Sequence, residues 1–198
     1  MEPYIEISFL QFPVLPFLIF QELLAKKVST YNYLFGIGSI LILVWELWLS
    51  RLYGEVGIYL IFLGVNIYGW SSWLIRKRKP KSLISYSTCF EHRASNLVVL
   101  CCLCGFSYLL RHYTNSEMPY WCAMIYSFSF TGMWLMAKGK IESWIYITIG
   151  NCIAITLFVY KELYICAGQT IVLCIIGISG YLKWQRKSSI VKDMGFDV

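Results

Sequence analysis

Seven stretches of this chain, at about residues 8–26, 30–49, 53–75, 94–111, 119–137, 141–160 and 163–184, are apolar over lengths that can cross a bilayer. A hydrocarbon core of about 30 Å takes roughly 20 helical residues. Nothing else constrains the fold as much, because a backbone in hydrocarbon has to satisfy its own hydrogen bonds, and a helix does so within one segment. The chain is 58% apolar and 14% charged, against about 25% charged for a soluble average. The expectation is an all-α integral membrane protein of seven transmembrane helices. The first span is the weakest, since Pro13 and Pro16 interrupt it and Gln11, Gln21 and Glu22 dilute it. It does not read as a signal peptide, because Glu2 and Glu6 stand where a positive n-region belongs.

The formal charge of +6 does not point to nucleic acid, because the basic residues are placed by side. The loops after spans 1, 3 and 5 and the C-terminal tail hold fourteen: Lys26, Lys27, Arg76, Lys77, Arg78, Lys79, Lys81, Arg93, Lys138, Lys140, Lys183, Arg186, Lys187 and Lys192. The other side holds Arg51, Arg111 and Lys161. That asymmetry is a positive-inside signal, placing the C-terminus in the cytoplasm and the N-terminus outside. Basic loop 76–81 suits an anionic inner leaflet.

A motif occurs twice. Leu52-Tyr53, Gly57 and Gly69-Trp70-Ser71-Ser72-Trp73 return as Leu163-Tyr164, Gly168 and Gly180-Tyr181-Leu182-Lys183-Trp184, every matched pair at the same offset that separates Leu52 from Leu163. This offset matches spans 1, 2 and 3 with 5, 6 and 7, and leaves span 4 as a single linking helix. The arrangement is three plus one plus three, with both triple-helix units running the same way. Parallel repeats of this kind place a substrate site near the midplane, at the seam. The unit limits are 1–79, 80–116 for the loop and linking helix, 117–187, and a tail at 188–198.

Polar and aromatic residues near mid-span are the candidates for such a site: Asn66 and Tyr59 in span 3, Tyr126, Ser129 and Trp134 in span 5, Asn151 in span 6 and, nearer the outer side, Gln169 in span 7. Asn66 and Asn151 have a second possible role as hydrogen bonds joining helices. Glu46 and Glu22 lie about a turn from the outer and inner ends of their spans, where a carboxylate either attracts a cation or reaches the interface. Trp45, Trp48, Trp70, Trp73, Trp121, Trp144 and Trp184 sit near span ends and are expected in interfacial belts. The Cys101–Cys104 pair has no second pair at ligand spacing and His92 and His112 flank span 4 at opposite ends, so no metal site or cofactor is expected.

Leu52-Tyr53-Gly54-Glu55, Asn66-Ile67-Tyr68-Gly69-Trp70 with Trp73, Lys140-Ile141-Glu142-Ser143-Trp144, Asn151, Lys161 with Leu163-Tyr164, and Gly180-Tyr181 with Trp184 together resemble the PnuC family of vitamin transporters. The resemblance implies a SWEET-like fold, facilitated diffusion of nicotinamide riboside, thiamine or riboflavin, a homo-oligomer that is often a trimer, and trapping by a separate cytoplasmic kinase. It places the chain in a bacterial inner membrane. The chain departs from the nicotinamide riboside pattern at Cys122, Ile125-Tyr126, Met133 and Tyr59, where hydrogen-bonding groups give way to aromatic and apolar ones.

Nicotinamide riboside and thiamine are both flat cations, which aromatic faces attract. With few intramembrane charges to relay ions, passive uniport is the expected mechanism. A vitamin-binding membrane subunit of an ATP-driven importer is the alternative, although the chain carries no G-x-x-x-x-G-K-[ST] motif. An enzyme is not expected, because H-E-x-x-H and G-x-S-x-G are both missing.

Overall fold

The computed structural model describes residues 14–77, 84–114 and 118–193. Among these are seven helices: α1 (Val14–Lys26), α2 (Asn32–Leu49), α3 (Tyr53–Lys77), α4 (Cys89–Tyr113), α5 (Pro119–Ala137), α6 (Ser143–Tyr160) and α7 (Tyr164–Asp193). Five of them, α2, α3, α4, α6 and α7, are long and apolar enough to cross a membrane. The described part of α1 is 13 residues long, and residues 8–13 of the expected first span lie outside the described residues. At 19 residues α5 has the length, but Ser127, Ser129 and Thr131 dilute it. Ser127 Oγ donates to Ala123 O at 2.6 Å and Thr131 Oγ1 to Ser127 O at 2.9 Å, whereas Ser129 faces a cavity described below.

Two helix ends differ from the sequence expectation. α4 starts at Cys89 rather than near 94, because Thr88-Cys89-Phe90-Glu91 is a capping box: Glu91 N donates to Thr88 Oγ1 at 3.2 Å and Thr88 N to Glu91 Oε2 at 2.8 Å. Such reciprocal bonds satisfy two otherwise orphaned donors. α7 runs on to Asp193 through Lys183, Gln185, Arg186 and Lys187, all good helix formers.

Positive φ angles occur at Val28 (60°), Arg51 (59°), Gly139 (71°) and Glu162 (58°). Val28 and Gly139 are related by the offset of the repeated motif, as are Arg51 and Glu162. At each, two backbone bonds close the preceding helix: Val28 N to Ala25 O (2.9 Å) and Ser29 N to Leu24 O (3.0 Å), matched by Gly139 N to Met136 O (2.9 Å) and Lys140 N to Leu135 O (2.9 Å). These are Schellman caps, which turn the chain back through one left-handed residue.

α2 packs on α1 and on α3, and α6 packs on α5 and on α7; the two sets meet through α1 against α7 and α3 against α5. α4 lies broadly on α5 and only lightly on α3. Its first turn is latched to the turn after α5. Ser85 N donates to Gly139 O (3.0 Å) and Ile141 N to Ser85 O (3.1 Å). Buried Glu142 accepts from Ser87 N at 2.9 and 3.0 Å and from Ser87 Oγ at 2.8 Å. Lys140 Nζ pairs with Glu91 Oε2 at 2.8 Å. The Lys140-Ile141-Glu142 segment is therefore a clamp.

Trp73, Trp144 and Trp184 correct the interfacial-belt expectation: all three are 0% exposed. They form a core at the basic end of the bundle with Tyr33, Ile84 and Ile141. Trp73 Nε1 donates to Met136 O at 3.0 Å and Trp184 Nε1 to Ala25 O at 3.2 Å. The indoles of Trp73 and Trp184 thus each bond the end of a helix in the opposite set, which is the reason they turn inward, whereas Trp144 Nε1 has no hydrogen-bond partner among the described residues. Gly69 and Gly180 make room, since a Cβ at Gly180 would lie 2.8 Å from the Trp144 ring and one at Gly69 would strike Tyr33. Trp45 (65%), Trp48 (56%) and Trp121 (44%) are exposed, as a belt requires.

Candidate functional site

Between the two helix sets, toward the middle of the bundle, lies a cavity of about 280 Å³ lined by every helix except α4. Its floor at the basic end includes Ala25 and Met136, whose carbonyls hold the indoles of Trp184 and Trp73. Farther from that end a second cavity, of about 270 Å³, is lined by Glu46, Ser50, Glu55, Cys122 and Lys161. Leu43, Tyr59, Ile125, Tyr126 and Phe158 border both cavities. The Tyr59 and Tyr126 rings meet edge to face at 5.9 Å and 77°, so an aromatic partition separates the two spaces.

Six of the eight sequence candidates, Tyr59, Asn66, Tyr126, Ser129, Asn151 and Gln169, line the central cavity together. Glu46 lines the second one. Trp134 is on neither lining; it packs beside Val99, Leu135 and Tyr146, with Lys138 Nζ 3.8 Å from its ring centroid. Nor does the described structure use the asparagines to join helices. Asn66, 1% exposed, donates from Nδ2 to Phe62 O of its own helix at 3.3 Å, while its Oδ1 and Asn151 Nδ2 are buried without a hydrogen-bond partner among the described residues.

The sequence did not raise Gln21 as a site residue, and raised Glu22 only as a carboxylate that either attracts a cation or reaches the interface. Glu22 and Gln21 of α1 both line the central cavity, and Glu22 Oε2 is likewise buried and unpartnered. Their polarity made span 1 look weak, and it is the signal that could have placed them at a site. Ser39 and Thr170 line it too, but Ser39 Oγ donates to Gly36 O (2.8 Å) and Thr170 Oγ1 to Cys166 O (2.8 Å), so their hydroxyls are engaged.

Buried polar groups are normally hydrogen-bonded, and leaving one unpaired costs about 1–3 kcal/mol. Three such atoms, from α1, α3 and α6, belong to residues that line one cavity. Around them are apolar and aromatic walls: Phe62, Tyr59, Tyr126, Met133 and Leu173. An apolar pocket with a few convergent polar groups is the usual form of a small-molecule site. Among the described residues no lysine, arginine or histidine lines it, and no group of three or more His, Cys, Asp or Glu could hold a metal ion.

The family model described as nicotinamide mononucleotide transporter matches residues 9–186. A comparison with curated proteins finds no match. Among solved structures, one described as the crystal structure of the vitamin B3 transporter PnuC superposes with a TM-score of 0.73 at 18% sequence identity, covering 92% of this chain and 83% of that one. At that identity the likeness concerns the fold.

Proposed function

Because the chain belongs to the nicotinamide mononucleotide transporter family, a family of membrane carriers, we propose that it is a uniporter moving a small flat B vitamin, nicotinamide riboside, through its central cavity by facilitated diffusion. The observation that carries this reading is that Glu22, Asn66 and Asn151, each with a buried polar atom unpartnered among the described residues, line one aromatic-walled cavity. A phosphorylated nucleotide would bring its anion beside Glu22 with no basic side chain on the described lining to offset it, and unpaired buried charge is strongly disfavoured. The reading is therefore for the nucleoside.

The proposal includes a parallel repeat of three plus one plus three helices, in the SWEET-like manner, with the cavity on its axis. Its support lies in positions matched by the offset of the repeated motif. Val14 and Ile125, Leu18 and Ser129, Glu22 and Met133, Ala25 and Met136, Ile40 and Asn151, Leu43 and Ala154, Tyr59 and Thr170, and Phe62 and Leu173 all line the cavity. The two indole bonds, Trp73 to Met136 and Trp184 to Ala25, exchange under the same offset. So do the two left-handed pairs and the α1–α7 and α3–α5 contacts.

Orientation follows the positive-inside rule, with the Trp73–Trp184 core at the cytoplasmic face of a bacterial inner membrane, a homo-oligomeric assembly, and a kinase trapping the product inside. Thiamine is the second reading. It is favoured by Tyr59, Tyr126 and Met133 on the lining, which suit a ring more than a ribose. The purified chain alone in liposomes tests the proposal: saturable uptake down a gradient that an uncoupler leaves unchanged supports it. Uptake only with an added ATP-hydrolysing partner would point to a binding subunit.

A further inference from the structure

We propose that Glu22 is the residue that reads the charge of the cargo, so that the central cavity takes permanent organic cations and discriminates against neutral molecules of the same shape. This rests on the vitamin reading above and adds to it the specificity-determining group. Of the described residues on the central lining, Glu22 alone is acidic, and none is basic. Lys26, one turn along on α1 and well spaced for an ion pair, instead donates from Nζ to Ser179 Oγ at 2.7 Å. Glu22 Oε2 is left without a partner among the described residues.

Two further polar side chains line the same cavity. Asn66 Oδ1 and the Gln21 amide both close on Gly36, where a Cβ would lie 2.5 Å from the first and 3.0 Å from Gln21 Nε2. Glycine at 36 thus leaves room for two polar side chains, from α3 and α1, on the lining that Glu22 shares. The repeat offset carries Glu22 onto Met133, also on the lining. The cavity is acidic at one corner and offers a soft, polarizable thioether at the matching one. That polarity suits a flat ring carrying a delocalised positive charge, which supplies the partner an ionised carboxylate needs inside a bundle. Glu46 and Glu55 on the second cavity continue the acidic character along the path, with Lys161 close to Glu55.

The experiment compares nicotinamide riboside with its neutral 1,4-dihydro form, which keeps the shape and loses the charge. Initial uptake is measured in liposomes holding the full chain, unaltered, E22Q or E22D. The unaltered chain is expected to favour the cation by about tenfold to a hundredfold, the range of hydrogen bonds to charged groups. E22Q is expected to lower uptake of the cation far more than that of the neutral form and so remove most of that preference, and E22D, which keeps the charge, to retain most of it. Equal losses for both forms in E22Q, or an unchanged preference, would overturn the assignment of Glu22 and leave the vitamin reading standing. Saturable uptake of neither form, nor of thiamine, by the unaltered chain would overturn the vitamin reading and this inference with it.

Discussion

Replacing Trp73 and Trp184 by phenylalanine, singly and together, probes the buried indole pair that closes the basic end of the bundle. Both rings are 0% exposed, their centroids are 6.0 Å apart, and each N–H donates to a backbone carbonyl, at 3.0 and 3.2 Å. Losing the N–H bond costs about 0.5–1.5 kcal/mol. The void left by the shorter ring adds about 1–2 kcal/mol, a fraction of the roughly 3–5 that truncation of a buried aromatic to alanine costs. Each single variant should then lose about 2–3 kcal/mol, which at about 2–4 °C per kcal/mol for a chain of this size lowers the unfolding midpoint by about 4–12 °C. The two losses should be alike, and the double variant should depart from their sum by about 0.5–3 kcal/mol because the rings touch. Trp48, 56% exposed, is the control, and its phenylalanine variant should shift stability by less than about 0.5 kcal/mol. Thermal unfolding of the four variants in one detergent reads all of this. Equal small shifts at positions 48, 73 and 184 would refute the buried pair and restore the interfacial reading.

Gly180→Ala should destabilise by about 1–3 kcal/mol through overpacking, since its Cβ would meet the Trp144 ring at 2.8 Å, whereas Gly168→Ala, with nothing within 4 Å, should be neutral or stabilising by up to about 1 kcal/mol. The same unfolding assay separates them, and equal outcomes would contradict the close helix contact. Asn151→Leu removes a buried amide nitrogen without a partner, so it should raise stability by about 1 kcal/mol while reducing uptake; lower stability would mean that the asparagine serves the fold. Partial burial pushes the Glu91 carboxyl up, but Lys140 and the Thr88 amide outweigh it and hold it below the usual carboxylate range. A depressed carboxyl stabilises the fold fully above its unfolded value of about 4.3 and loses that contribution as pH falls through the folded value. An NMR titration of Glu91 should therefore find its midpoint below about 4.3, moving up in Lys140→Met, and an unchanged midpoint in that variant would remove the latch.

The helices and their order were legible because apolar length is a strong local signal, and a motif was seen to recur because Leu52-Tyr53 and Gly69-x-x-x-Trp73 return at identical spacing. The direction in which a side chain points was not. Trp73, Trp184 and Trp48 all sit near span ends, yet two are core and one is exposed, because what decides is the free carbonyl of a helix from the other set, a contact between distant residues. Glu22 shows the same limit from the other side. A carboxylate in a weak first span has no local feature that tells cavity from interface. Tyr59, Asn66, Tyr126, Ser129, Asn151 and Gln169 were legible as site candidates because polarity near mid-span in hydrocarbon is itself unusual. Trp134 met the same criterion, but the far face of α5 packs against Val99 and Tyr146, and depth alone cannot distinguish two faces of one helix. The start of α4 could have been read from Thr88-x-x-Glu91, a signature that the apolar pattern from residue 94 onward obscured.

On the proposed reading, the cavity between the helix sets holds the cargo. Calorimetric titration of the purified chain with nicotinamide riboside, thiamine and riboflavin, repeated on Asn151→Leu, tests it most directly. Saturable binding of nicotinamide riboside or thiamine is expected at one site per chain, weakened at least about tenfold, or 1.4 kcal/mol, in the variant although the variant is the more stable protein. Binding of equal strength in the two proteins, or saturable binding of none of the three vitamins, would contradict it.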